Sequence, residues 1–219
     1  MDADLLKKIV EAALLAAGRP LSIEQLEGLF EDHERPERSA IKHSLTTLMQ
    51  ECESRGYELK EVAGGYRFQV RESLSGWVSH LWAEKPPRYT RAFLETLALI
   101  AYRQPITRAE IEDIRGVSVS TTIIRGLLER EWVRVVGHKE VPGRPALYAT
   151  TRQFLDYFNL QSLDELPPLS DFILPGETDT ESALEHAVEQ LLADAAPTPL
   201  PEESAEETLK STPPAANAP

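Results

Sequence analysis

The chain has 219 residues, 42% of them hydrophobic, room for one large domain or two small ones with a real core. Its net charge of −13 is uneven: residues 1–158 carry 22 basic and 23 acidic side chains and residues 159–219 carry 1 and 13, so a near-neutral body precedes an acidic tail, and the body lacks the bulk attraction that dominates non-specific binding to a phosphate backbone. The single cysteine, Cys52, excludes a disulfide framework or a thiolate metal cluster; no apolar run approaches a membrane span; and the start, "MDADLLKKIV", lacks a secretion signal, so the expectation is a soluble cytoplasmic protein that leaves membranes alone.

The first predicted helix has Ile9, Ala12, Ala13 and Ala16 at helical spacing as its apolar stripe. Pro20 stops it. Ser22 then caps a second helix and, with Gln25, completes a capping box, while Leu21 and Leu26 are placed as a hydrophobic staple. A third helix runs over about 38–54 with Ile41, Leu45 and Leu48 on one face. "YELKEV" and "YRFQV" flank Ala63-Gly64-Gly65 and form a hairpin with Tyr66, Phe68 and Val70 on one face. Leu74, Trp77, Val78 and Leu81 mark a short amphipathic helix that closes a unit over 1–84. Residues 85–91 form a linker, stiffened by Pro86-Pro87 and basic at Lys85, Arg88 and Arg91.

The pattern then repeats 85 positions on. "AALLAAGRPLSIEQLEGL" at 12–29 aligns without gaps with "LALIAYRQPITRAEIEDI" at 97–114. Leu94, Leu97, Ala98 and Ala101 form the helix stripe, Pro105 the stop, Thr107 and Glu110 the capping box, and Ile106 and Ile111 the staple. A third helix follows over about 120–130, carrying Ile124, Leu127 and Leu128. "WVRVV" and "ALYATT" make a second hairpin around "GHKEVPGRP". Three helices and a hairpin, twice over, predict a mainly α fold with small β-hairpins: two tandem winged-helix (helix-turn-helix) domains. The second unit spans 92–174, because Leu163, Leu166, Leu169 and Phe172 can pack back on it. An acidic, largely disordered tail at 175–219 holds a possible short helix at 181–194.

The residues do not read as an enzyme. The five histidines, His33, His43, His80, His138 and His186, make no metal-ligand spacing with Cys52 or the carboxylates, and no P-loop or dinucleotide fingerprint is present; no cofactor or small-molecule substrate is expected. Glu24, Glu27, Glu110 and Asp113 read as a solvated helix surface. In helix-turn-helix proteins the recognition helix meets the major groove. Here the third helices offer Arg38, Lys42 and His43, or Ser118, Ser120, Thr121, Thr122 and Arg125, and apart from Arg125 the second set lacks the Arg or Asn suited to bidentate base reading. Lys139 and Arg144 in the second hairpin tip either make weak DNA contact or belong to a turn whose geometry Pro142-Gly143 sets. Trp77, Trp82, Tyr89, Phe93 and Tyr102 crowd the junction between the units; Trp77 and Phe93 read best as core, while Trp82 and Tyr102 lie off the main stripes.

"LETLALIAYRQPITRAEIEDIRGV" together with "GRPALYATTRQFLDYFNLQSLDELPPL" resembles the segregation and condensation protein B family, the accessory subunit of the bacterial SMC–kleisin condensin complex, over about residues 5–174. The resemblance implies a non-catalytic, nucleoid-associated homodimer paired largely through its first domains. It implies a grip on the central part of the kleisin subunit, segregation and condensation protein A, and through it on the SMC ATPase. DNA contact would be indirect or weak, and the role would be chromosome condensation and segregation in cell division. Within it, Tyr102, Arg103, Gln104, Glu110 and Arg115 are the expected kleisin-binding surface, and Leu5, Leu6 and Val10, taken as lying off the main stripe of the first helix, the expected dimer contacts. The alternative is a tandem winged-helix transcription regulator, which would bind short duplexes in a sequence- and salt-dependent way.

Overall fold

The computed structural model describes residues 2–81 and 89–167. Predicted features at Trp82, at 85–88, at Leu169 and Phe172, and in the acidic tail with its helix at 181–194 lie outside them. Helices and small antiparallel sheets alternate: α1 (Ala3–Ala17), α2 (Ile23–Glu27), α3 (Arg38–Glu51), β1 (Tyr57–Val62), β2 (Gly65–Val70), α4 (Ser75–Val78), α5 (Arg91–Arg103), β3 (Ile106–Thr107), α6 (Arg108–Arg115), α7 (Thr121–Glu129), β4 (Val133–His138), β5 (Ala146–Thr150) and α8 (Arg152–Tyr157). Among the described residues no helix is long and apolar enough to cross a membrane.

Two separate hydrophobic clusters organise the chain. The N-terminal one joins Leu6, Val10 and Leu14 of α1 to Leu26, Ile41, Leu45, Leu48 and Leu59, with Tyr66 and Phe68 packed against it. The helix register therefore differs from the alanine-based stripe. Leu6, Val10 and Leu14, four apart, carry far more apolar area than Ala12 and Ala16, which are exposed. This corrects the placing of Leu6 and Val10 as dimer contacts: both are buried in the chain's own core. The C-terminal cluster is built on α5, where Leu97 to Ala101 are buried without a break, so this helix is enclosed on all sides. At its centre Trp132 is 1% exposed and ringed by Tyr89, Phe93, Tyr157 and Phe158 at centroid distances of 4.5–6.2 Å. Phe93 is core as expected; Trp77 is not, being 72% exposed on α4 beside exposed Leu81.

The repeat holds at the level of backbone bonds. Both capping boxes form: Gln25 N donates to Ser22 Oγ and Ser22 N to Gln25 Oε1, and Glu110 and Thr107 make the same pair. In the second copy β3 pairs with β5 in a three-stranded sheet ordered β3-β5-β4. In the first, Leu21, the counterpart of Ile106, exchanges two 2.9 Å backbone bonds with Tyr66 of β2. Gly65 permits this approach. Its φ is +121°, and a Cβ there would meet the Leu21 carbonyl at 2.1 Å. The β1–β2 register, Tyr57 opposite Val70 to Val62 opposite Gly65, leaves Ala63-Gly64 as the hairpin tip.

Candidate protein-docking site

The end of α5 is held from three directions. Gln104 caps the helix, donating through Nε2 to Ala101 O at 2.9 Å, while its Oε1 accepts from Thr150 N at 2.8 Å and Thr150 Oγ1 at 3.0 Å. The Tyr102 hydroxyl donates to Pro167 O at 2.7 Å, fastening the segment after α8 onto α5, and burial raises its pKa. Arg103, between them, is exposed. Tyr102 and Gln104 thus spend their polar atoms on the fold, and Arg103 is the member of this turn that faces outward.

Glu110 lies on α6, next along the chain. Its carboxylate closes the capping box and receives Lys139 Nζ at 2.6 Å from the second hairpin. The Lys139 hydrogen bond, followed by those from Thr107, pulls its pKa down to about 2. A residue expected to bind protein and one expected to touch DNA therefore neutralise each other. Arg144 is paired likewise, with Glu140 at 2.9 Å. At the other end of α6, Arg115 turns inward. Its guanidinium meets Glu95 of α5 at 2.6 Å, and the two side chains are 7% and 9% exposed. Arg91 holds the other Glu95 oxygen at 2.8 Å. Burial raises the Glu95 pKa, but the two guanidinium bonds outweigh it and the net shift is downward. Arg115 Nε is buried without a hydrogen bond among the described residues. This corrects Arg115 as an outward-facing contact: its guanidinium is buried and joins α5 to α6.

The third helix of each copy, α3 and α7, carries few uncommitted cations. On α7, Ser120 caps the first turn by accepting from Thr122 N at 3.2 Å, and Arg125 is tied to Glu129 at 2.6 Å. On α3, Arg38 pairs with Glu24 and Glu27, leaving exposed Lys42 and His43. Among the described residues no cluster of three or more His, Cys, Asp or Glu is placed to hold a metal. In the N-terminal half an open groove of about 1170 Å³ is lined by Leu5, Ile9, Leu29, Phe30, Pro36 and Ala40 among others, and Leu5 is 51% exposed beside it. Glu95, Thr150 and Pro167, which position this site, were missed in the sequence. Thr150 stands within the diagnostic "ALYATT", but nothing in the spacing pairs it with Gln104.

Comparison with known proteins names the fold's relatives. The family model described as segregation and condensation complex subunit ScpB matches residues 8–169. The segregation and condensation protein B homolog of Coxiella burnetii is 56% identical over 167 residues, covering 76% of this chain and 80% of the relative. Segregation and condensation protein B of Syntrophotalea carbinolica is 44% identical over 172 residues, covering 78% and 86%. Among solved structures, the crystal structure of ScpB from Mycobacterium tuberculosis is 34% identical, covers 73% of this chain and 98% of that one, and superposes with a TM-score of 0.34. With a family match running through both hydrophobic clusters and relatives above 40% identity along most of their length, the chain belongs to the segregation and condensation protein B family.

Proposed function

We propose that the protein is a non-catalytic subunit of a bacterial segregation and condensation complex. In this reading it is two tandem winged-helix domains, over 1–84 and 92–174, joined by a linker at 85–91 and followed by an acidic tail. It works in the cytoplasm at the nucleoid. It grips the kleisin, segregation and condensation protein A, and reaches the SMC ATPase through it. The observation that carries the reading is the family match across residues 8–169. The side chains support it. The helices that would enter a DNA groove have their arginines bound to neighbouring glutamates, so DNA contact is weak or indirect. The alternative, a DNA-reading regulator, gains no support from that surface.

Within the second domain the kleisin-facing residues are Arg103, with Tyr102, Gln104 and Glu110 shaping the surface around it. Pairing of two chains falls to α1. Leu15, 61% exposed, and exposed Ala16 are the counterparts of Ile100 and Ala101, which the second domain buries in its own cluster. Leu5, Ala12 and Ala16 lie in one line along the helix with Leu15 at its margin, an apolar strip that a second copy would cover. The test is co-purification of the tagged full chain from its own host. Stoichiometric kleisin and SMC ATPase support the proposal, and selective loss of both with Arg103→Glu supports the surface. Elution with RNA polymerase, or with DNA and no kleisin, overturns it.

A further inference from the structure

The two hairpins of the repeat are used differently. The tip of the second bonds within its own loop and to Glu110. The tip of the first lies against α8, about 90 residues away in sequence. Ala63 N donates to Leu160 O at 2.9 Å, and Arg152 Nε donates to Ala63 O at 2.7 Å. Gly64 N donates to Asp156 Oδ1. Arg67 Nη2 donates to Asn159 Oδ1 at 2.6 Å, and Asn159 is held at φ +58°. The Ala63 N–H, the Ala63 carbonyl and the Gly64 N–H are all spent on the second domain. Two of the partners are charges drawn out of water: burial raises the Asp156 carboxyl pKa, partly offset by Gly64 N–H and the arginines, and burial lowers that of Arg67. A buried charge is tolerated only when it is paired or hydrogen-bonded, so this arrangement favours one register of the two domains over a loose encounter.

The fit is also steric. A Cβ at Gly64 would lie 2.4 Å from Asp156 Oδ2, and the three atoms nearest to that position all belong to Asp156. Gly64 does not have a left-handed φ, so its own hairpin does not demand glycine; a methyl there would instead displace the Asp156 carboxylate that the Gly64 N–H holds across the domain boundary. We infer that the first wing is an interdomain latch: docked on α8 through Ala63, Gly64 and Arg67, it is withdrawn from any external ligand and fixes the two domains in one relative orientation. The reading of the chain as two domains underlies this, but not the identity of any partner.

The test is an intrachain distance measurement on the full chain. Lys42→Cys on α3 and Ala109→Cys on α6, both exposed positions, carry spin labels in a Cys52→Ala background, diluted into unlabelled protein so that only distances within one chain are read. A single narrow distance is expected. Gly64→Ala, and separately Arg152→Ala with Asp156→Ala, should replace it with a broad distribution while the far-ultraviolet dichroism is retained. Because Gly64→Ala removes no α8 side chain, it separates loss of the latch from damage to the second domain. A broad distribution in the unaltered chain, or a narrow unchanged distance in both variants, would overturn the latch. Either result can be read whether or not the protein captures a kleisin.

Discussion

Replacing Arg115 tests the assignment of its guanidinium to the interior. The Arg115–Glu95 pair is 2.6 Å long and more than nine-tenths removed from solvent on both sides. Taking one partner from a buried pair typically costs about 3–5 kcal/mol, because the remaining charge is stranded. Arg91 stays on Glu95 at 2.8 Å, so Arg115→Met should fall near the lower end, about 3 kcal/mol. Arg115→Glu sets a second carboxylate beside the first, a repulsion of about 4 kcal/mol at 4 Å and an effective dielectric of 20, relieved in part by protonation. Against a total stability of about 5–15 kcal/mol, either loss is large. Urea unfolding followed by tryptophan fluorescence reads it, since Trp132 sits in the same core. The double replacement Glu95→Leu with Arg115→Met removes both charges and should recover most of the loss. A midpoint for Arg115→Glu within error of the unaltered chain would refute the burial argument.

Trp132→Ala, which empties the centre of four aromatic contacts, should cost about 3–5 kcal/mol in urea unfolding followed by far-ultraviolet dichroism and erase the near-ultraviolet dichroism of the second core. Glu110 is held down to about 2 against a reference of 4.5, so its contribution is complete above the reference value and is lost as pH falls toward 2. Glu110→Gln, which keeps a cap but not the charge, should therefore flatten the acid side of the stability profile between those values; an unchanged profile contradicts the assignment. Leu5→Glu with Leu15→Glu, both at exposed positions, should shift the molar mass measured by light scattering from two chains toward one without changing the unfolding midpoint.

The repeat was legible because its signals are local. Proline stop, capping hydroxyl and partner Gln25 or Glu110 lie within six residues of one another, and each forms the bonds its spacing implies. Pattern failed where several faces compete. In α1 the small alanines imitate an apolar stripe, yet packing follows the larger Leu6, Val10 and Leu14. Trp77 fits a helical stripe, but α4 spans only Ser75–Val78 and has no partner layer there among the described residues. Arg115 and Tyr102 look like surface residues in sequence; what turns them inward, Glu95 and Pro167, lies 20 and 65 positions away. The docking of the first hairpin on α8 rests on contacts across more than 85 residues and leaves no periodic trace.

On the proposed function, the chain binds a polypeptide in preference to DNA. Titrating the purified chain, at physiological salt, with the central segment of the kleisin and separately with duplex DNA tests it most directly. Saturable, stoichiometric capture of the kleisin segment, weakened by Arg103→Glu, is expected, with only weak, salt-sensitive and sequence-independent DNA binding. Tight recognition of a defined duplex with no response to the kleisin would contradict it.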